Sequence, residues 1–463
     1  MEIQPFEQAN ELNAQGKYDE ALALYDQVLA QNHYHPHLLA TIGTILSRSQ
    51  TTMGLAITLL HLSLDKFPKG KTIPQEYYAN LGTAYKQSGQ SDKAIEYLEK
   101  ALKVEKTAGV LANYGNIFIE QGNPQRAIDL LTEAITLDPS IELSHYNLSL
   151  SLLETGQWDR AWDEYEYGER PGGMRQERTY NDAPKWKGPV EEPGTRVCIY
   201  GEQGIGDEIM FASMLPDVLK TNEVILDCHP RLQTLFEKAF PGIKCYPTRK
   251  DAELFWPDAE PFDSRFAIGS LGKFYRRSRE SFPGTPYLKA DPVLPKGDKL
   301  RVGISWTGGR STQRVARRTV PLSWWKSILN NDCEFVSLQY TECAPEIKIV
   351  EQTQGVTIQQ FDEVVGKDDY YKTAQLVASC DLVISVCTSV VHLAGALGVP
   401  CWVMVPNKPA WRYQASGPMP WYRSVRLYRQ PAAEDGAWIP VTQRVGADLS
   451  DLVDASRKQR KVA

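Results

Sequence analysis

The chain of 463 residues has no early run of 18 or more apolar residues and no positively charged leader, so neither a membrane span nor an export signal is expected. Its eight cysteines lack the paired spacing of metal ligands, and no metal site is expected. A reducing cytoplasm suits this usage. Cys198, Cys228, Cys387 and Cys401 lie in or beside apolar runs and read as small hydrophobes. A positive balance is also missing: the formal charge is −6, so nonspecific nucleic-acid binding is not expected and the basic segment Arg310 to Arg318 must be judged locally. No GxxxxGKS or GxxxxGKT sequence occurs, which removes a Walker-type nucleotide loop. Gly201, Gly204 and Gly206 are spaced GxxGxG rather than GxGxxG, and the next strand offers only Asp227 as an acidic ribose partner. A dinucleotide site is therefore not expected.

What is present is the composition of a soluble globular protein, 42% apolar and 23% charged, with length for two or three domains. The first third repeats. Gly82, Gly89, Ala94 and Ala101 recur 33 residues later as Gly115, Gly122, Ala127 and Ala134, and Gly122 and Ala127 recur after 34 as Gly156 and Ala161. That period belongs to helix-turn-helix solenoids, and the pattern of small residues at the helix crossing resembles the tetratricopeptide family. Five units are expected over residues 2 to 170, with Leu12 to Leu29 in the first and Gly43 to Leu62 a degenerate second. Stacked units leave a concave surface for an extended peptide or another protein, or serve as a spacer. Arg170 to Thr195, with four Gly and four Pro, ends the helical pattern. It reads as a domain connection pinned by Tyr180 and Trp186.

Beyond it the pattern changes to α/β. Arg196 to Tyr200 is a short apolar strand, GEQGIGDE a glycine-rich turn, and Ile209, Met210, Met214, Leu215, Val218 and Leu219 have helical spacing. Val224 to Cys228 and Ile243 to Tyr246 read as further strands around a helix Leu232 to Phe240. A second unit opens at RVGISWTGG, with strands at Glu334 to Leu338, Leu382 to Val386 and Cys401 to Val405. Their carboxyl ends carry Ser305 to Arg310, Gln339 and Tyr340, Cys387 to His392, and Pro406 to Trp411. Four loop sets thus converge on one crevice, where open α/β sheets bind ligands. Thr388 or Ser389 can cap the next helix and leave its first N–H groups for an anion. The plainer alternative is an ordinary cap with His392 packed inside. Two such units across a cleft suggest group transfer from a nucleotide-activated donor.

The residues EQGIGDEIMFASMLP, FVSLQY, DLVISVCTSVVHLAGALGVPCWVMVP, WRY, MPWY and RLYRQ resemble those of bacterial tetratricopeptide proteins with a glycosyltransferase domain. The resemblance covers about Tyr180 to Val445. That domain is similar to the ADP-heptose:lipopolysaccharide heptosyltransferases and distantly to the protein O-GlcNAc transferases. It implies a fold of class α plus α/β: an amino-terminal tetratricopeptide superhelix followed by a GT-B pair of Rossmann-like domains. It also implies metal-independent transfer from a nucleoside-diphosphate sugar, a co-substrate rather than a bound cofactor. By the same resemblance Asp207 is the general base, with Glu208 as the alternative. Thr388 and His392 match a D-T-x-x-x-H donor pattern in which Cys387 replaces the aspartate. The basic residue near the diphosphate has no unique match among Arg310, Arg314, Arg317 and Arg318, and Arg310 is the first choice.

Donor and phosphate contacts are thus expected from Ser305, Thr307, Gly308, Arg310, Thr388, Ser389 and His392. Gln339, Tyr340, Lys408, Trp411 and Arg412 are expected at the sugar or base; Trp411, like Trp421, is as compatible with packing. For Asp207 the plainer alternative is a simple helix cap, against which stand the closely spaced glycines before it and the cleft-facing strand end. The expected domains are 1–170, 171–195, 196–297, 298–445 and a terminal helix with its tail over 446–463, returning toward the first α/β domain. A protein or peptide held by the repeats is the expected acceptor, with no nucleic acid partner. A saccharide or lipid-linked acceptor, and a non-catalytic scaffold, are the alternatives, and oligomeric state is open.

Overall fold

The computed structural model describes residues 3–462 apart from 33–34, 170–173, 176, 250–253, 255, 309–314, 316, 367 and 432–435. Two compact units are present, Met1–Leu148 and Ser149–Ala463. The first is built of antiparallel helix pairs, among them Gln75–Gln87 with Ser91–Val104 and Ala108–Gln121 with Pro124–Leu137. Small residues bring each pair together: a Cβ on Gly82 would lie 2.6 Å from Leu98 Cγ, and one on Gly115 2.9 Å from Leu131 Cγ. The recurring glycine and leucine are therefore one steric unit.

The last sequence repeat behaves differently. Its second helix, Trp158–Tyr165, packs inside the α/β unit. Trp162 is buried, donates from Nε1 to the Arg276 carbonyl at 2.7 Å, and lies over Gly272, where a Cβ would sit 2.5 Å from the ring. A repeat by pattern is thus part of the sheet-bearing unit by packing, and the first compact unit ends at Leu148.

Ser149–Ala463 holds two parallel sheets. The first has the order β3-β2-β1-β4, from β1 (Arg196–Tyr200), β2 (Glu223–Asp227), β3 (Lys244–Tyr246) and β4 (Ser264–Ala267). The second has the order β10-β9-β8-β5-β6-β7, from β5 (Leu300–Ser305), β6 (Cys333–Ser337), β7 (Ile358–Gln359), β8 (Leu382–Val386), β9 (Cys401–Val405) and β10 (Val425–Arg429). Counted from its own first strand, the second sheet reads 6-5-4-1-2-3, a doubly wound order that reverses between β5 and β8. All paired neighbours are parallel, so every strand delivers its carboxyl end to the same edge of its sheet. The strands are apolar because helices cover both faces, as at Leu382–Val386, where every residue is buried.

The connection is pinned as expected. Tyr180 and Trp186 are buried, and the Tyr180 hydroxyl donates to Asp227 Oδ2 at 2.5 Å. Asp227 also accepts from Thr248 and pairs with Arg178, so it is committed internally and is not a ribose ligand. The terminal helix corrects the expectation. It runs Ile439–Val462 and stays on the second sheet: Trp438, Val441, Val445, Leu449 and Val453 join the core of Val302, Ile304 and Trp325. Gly446 meets the Ser327 carbonyl so closely that a Cβ would lie 2.4 Å from it. Among the described residues no helix is long and apolar enough to cross a membrane.

Candidate functional site

A cleft of about 420 Å³ lies at the carboxyl ends of both sheets. The first sheet contributes Gly204 to Asp207 after β1, His229 and Arg231 after β2, and Arg249 after β3. From the second come Arg318, Tyr340, Tyr370, Cys387 to Ser389, His392, Ala410, Arg412 and Tyr413. The volume suits a nucleotide-sized ligand. Four arginines face one carboxylate, Asp207, among the described lining residues, in a chain whose net charge is −6. An excess of guanidinium groups in a pocket of an acidic protein selects for anions.

The glycine-rich turn owes its shape to two contacts. A Cβ on Gly201 would stand 2.3 Å from Glu208 Cδ, and one on Gly206 3.2 Å from Ser389 Cα and His392 Cδ2. The helix Ile205–Phe211 can therefore approach the helix Ser389–Leu397 only through glycine. Gly204 is the cap residue of the first helix, so Asp207 stands in its first turn and is not a cap. Its carboxylate pairs with Arg412, which approaches Oδ1 with both Nε and Nη2. Glu208 turns inward. It is 1% exposed, pairs with Arg249 through one oxygen and accepts from the His229 N–H at 2.9 Å through the other. Burial pushes its carboxyl up to about 8, against the pull of Arg249 and the His229 N–H. It does not line the cleft, so it is a support for Arg249 and not an alternative base.

On the second sheet Thr388 caps the helix Ser389–Leu397, its Oγ1 accepting from Val390 N at 3.3 Å. Ser389 Oγ accepts from the Tyr370 hydroxyl at 3.0 Å. Cys387 is buried at the cleft wall, and burial pushes its thiol up to about 11, so it is neutral where the resembled family has a carboxylate. His392 lines the cleft, 3.3 Å from the Tyr422 hydroxyl through Nδ1. Burial lowers its imidazole to about 4, with Asp207 pulling upward and Arg412 and Arg318 downward.

The remaining expected residues are placed elsewhere. Gln339 Oε1 accepts from Ser305 Oγ and from the Trp306 and Thr307 N–H groups at 3.1–3.2 Å, while its Nε2 donates to the Thr307 carbonyl. Ser305, Thr307 and Gln339 thus stitch the loop after β5 and do not line the cleft. Gly308 packs against Thr388, where a Cβ would lie 2.4 Å from Cγ2. Arg310 and Arg314 lie outside the described residues; Arg318 lines the cleft. Lys408 does not line it, and Trp411 is buried against Phe211, Trp162 and Trp421 with ring centroids 6.2–6.4 Å apart. Trp411 is therefore core, not a stacking surface. Arg231 and Arg249 are not singled out by sequence, because isolated loop arginines carry no motif. Their place just past β2 and β3 is the signal that could have found them.

The His392 shift gives an expected pH dependence. A histidine whose folded pKa is depressed binds its proton only on unfolding, so its contribution is intact above pH 6.5 and is lost as pH falls toward about 4. Over that window the loss is about 3 kcal/mol for the buried group. Glu208, raised on folding, acts in the opposite sense between its unfolded value of 4.5 and about 8. The comparison that isolates His392 is His392→Gln: chemical denaturation across pH 4 to 7 should show a flatter acid limb than the parent. An unchanged slope would contradict a buried neutral imidazole.

Tetratricopeptide repeat families match residues 75–107 and residues 6–46 and 115–173, so the chain carries tetratricopeptide repeats ahead of its parallel-sheet region. Among curated proteins, Protein FlbA of Caulobacter vibrioides is 27% identical over 497 residues, which cover 94% of this chain and 82% of FlbA. Among solved structures, MamA is 20% identical with a TM-score of 0.29, covering 34% of this chain and 91% of its own. A thermophilic TPR protein of Thermus thermophilus is 24% identical with a TM-score of 0.30, covering 36% and 89%.

Proposed function

We propose that the chain is a glycosyltransferase: the cleft binds a nucleoside-diphosphate sugar and passes the sugar, without a metal, to a protein or peptide acceptor held by the repeats. The observation that carries this reading is the cationic cleft at the carboxyl ends of two parallel sheets, with Arg318 and the helix start at Thr388 on one side and Asp207 on the other. In this reading the two sheets form a GT-B pair. The bond from the anomeric carbon to the diphosphate breaks while the acceptor oxygen attacks that carbon and gives its proton to the Asp207 carboxylate. Charge growing on the leaving diphosphate is met by Arg318, by Arg412 and by the positive end of the helix Ser389–Leu397. A diphosphate that draws Arg412 away from Asp207 also frees the base.

The acceptor half of the reading rests on the repeats. Asn13, Thr41, Thr44 and Asn80 from first helices of the repeats, with Arg48 from the turn after Pro36–Leu46, supply polar groups to a depression of about 180 Å³ that Ala40, Ile45 and Tyr77 also line, a mixed wall suited to a peptide. One observation favours a second reading: the neutral Cys387 thiol stands in place of a carboxylate, as it would in a transferase fold kept only for binding. The two separate by transfer. The full chain is incubated with a cell extract, and proteins and nucleotides are followed by mass spectrometry. A glycosyl mass increment on a protein with release of nucleoside diphosphate, lost in Arg318→Ala, is expected; no increment and no donor consumption would sink the transferase reading.

A further inference from the structure

We propose that the first sheet carries a second anion subsite, formed by Arg231 and Arg249, which holds a phosphate or carboxylate of the ligands other than the leaving diphosphate. This rests on the proposed transferase reading for what occupies the rest of the cleft. In that reading Arg318, Arg412 and the helix start at Thr388 serve one diphosphate, and Arg231 and Arg249 are not among the groups assigned to it. They are nonetheless built into place. Arg249 is held from behind by Glu208, a carboxyl group 1% exposed whose second oxygen is fixed by the His229 N–H at 2.9 Å. Glu208 itself fits only because residue 201 is glycine. The Arg249 carbonyl accepts from Arg178, whose guanidinium also pairs with buried Asp227 at 3.3 Å. Arg231 lies with its guanidinium 5.2 Å from the centroid of the Tyr370 ring, another cleft residue.

A solvent-facing arginine needs none of this. Buried groups that fix a guanidinium at a cleft wall reduce the entropy it loses on gripping an oxyanion, and two such forks suit a doubly hydrogen-bonded anion. Both arginines are carried by the first sheet, as Asp207 is, and on that ground the occupant is assigned to the acceptor or to the transferred sugar. Phosphate and carboxylate share this chemistry.

The test is calorimetric titration of the full chain with inorganic phosphate and, separately, acetate, each with and without a saturating nucleoside diphosphate chosen from ADP, GDP and UDP. Phosphate or acetate should bind while the nucleotide is bound, and whichever binds more tightly names the group. Arg231→Ala and Arg249→Ala should each weaken that binding about 10-fold or more while nucleotide affinity changes no more than about twofold, and Arg318→Ala should do the reverse. Since Arg249→Ala strands buried Glu208, Arg231→Ala is the variant to rely on if the other fails to fold. Competition between the small anion and the nucleotide, or equal loss of nucleotide affinity in Arg231→Ala and Arg318→Ala, would overturn the proposal. If no nucleotide binds at all, the transferase reading fails. Phosphate binding that depends on Arg231 would still establish the subsite.

Discussion

Replacing Asp207 by asparagine is expected to lower single-turnover transfer by about 10²- to 10⁴-fold, the usual contribution of a positioned general base. Nucleoside-diphosphate affinity should hold or tighten. The reason is the ion pair: Asp207 engages Arg412 through both Nε and Nη2, and the neutral amide releases that guanidinium to the phosphates while removing a negative charge beside them. Arg412→Ala should do the opposite to binding, since it removes a phosphate partner and leaves Asp207 without its counter-ion. Near-normal turnover in Asp207→Asn at saturating donor would show that another group takes the proton. Glu208 is not an easy substitute, because both of its oxygens are engaged behind the cleft wall.

The second large effect concerns stability. Trp162→Ala should destabilise the unit Ser149–Ala463 by about 3–5 kcal/mol, the range for truncating a fully buried aromatic. Its ring meets Tyr165, Phe211 and Trp411 at centroid distances of 5.4–6.5 Å and fills the space over Gly272, so little can collapse into the gap. The lost Nε1–H bond also strands the Arg276 carbonyl. Hydrogen exchange of β1 and β4 amides reads the result directly. Faster exchange there, with Leu98→Ala leaving those strands unaffected, is expected if the last repeat belongs to the sheet-bearing unit. Unchanged exchange in Trp162→Ala would mean the helix Trp158–Tyr165 is only an attachment.

Much of this architecture is legible because strands buried on both faces spell continuous apolar runs. Arg196–Tyr200, Leu382–Val386 and Cys401–Val405 have the bounds that those runs imply. The edge strand Val425–Arg429, interrupted by Arg426 and closed by Arg429, is no continuous apolar run and stands out only as part of a motif, and Ile358–Gln359 is too short to carry a pattern. In the cleft, Asp207, Thr388, Ser389, His392 and Arg412 are brought together by the strand ends on which sequence places them. Trp411 shows where such reading stops, since an aromatic in a loop looks the same whether it faces a ligand or a core. The terminal helix makes the same point: sequence reading sends it toward the first α/β domain, whereas Val441, Val445, Leu449 and Val453 lie in the core of the second sheet.

The central claim is that the cleft is a nucleotide-diphosphate site, and the most direct measurement is calorimetric titration of the full chain with ADP, GDP, UDP and their sugars. One nucleotide should bind with one-to-one stoichiometry at micromolar strength, about −8 kcal/mol. Arg318→Ala should weaken it about 10-fold or more, as expected when a charge-assisted contact to phosphate is removed. Absence of binding across the whole panel by a folded protein, or binding indifferent to Arg318, would contradict the account.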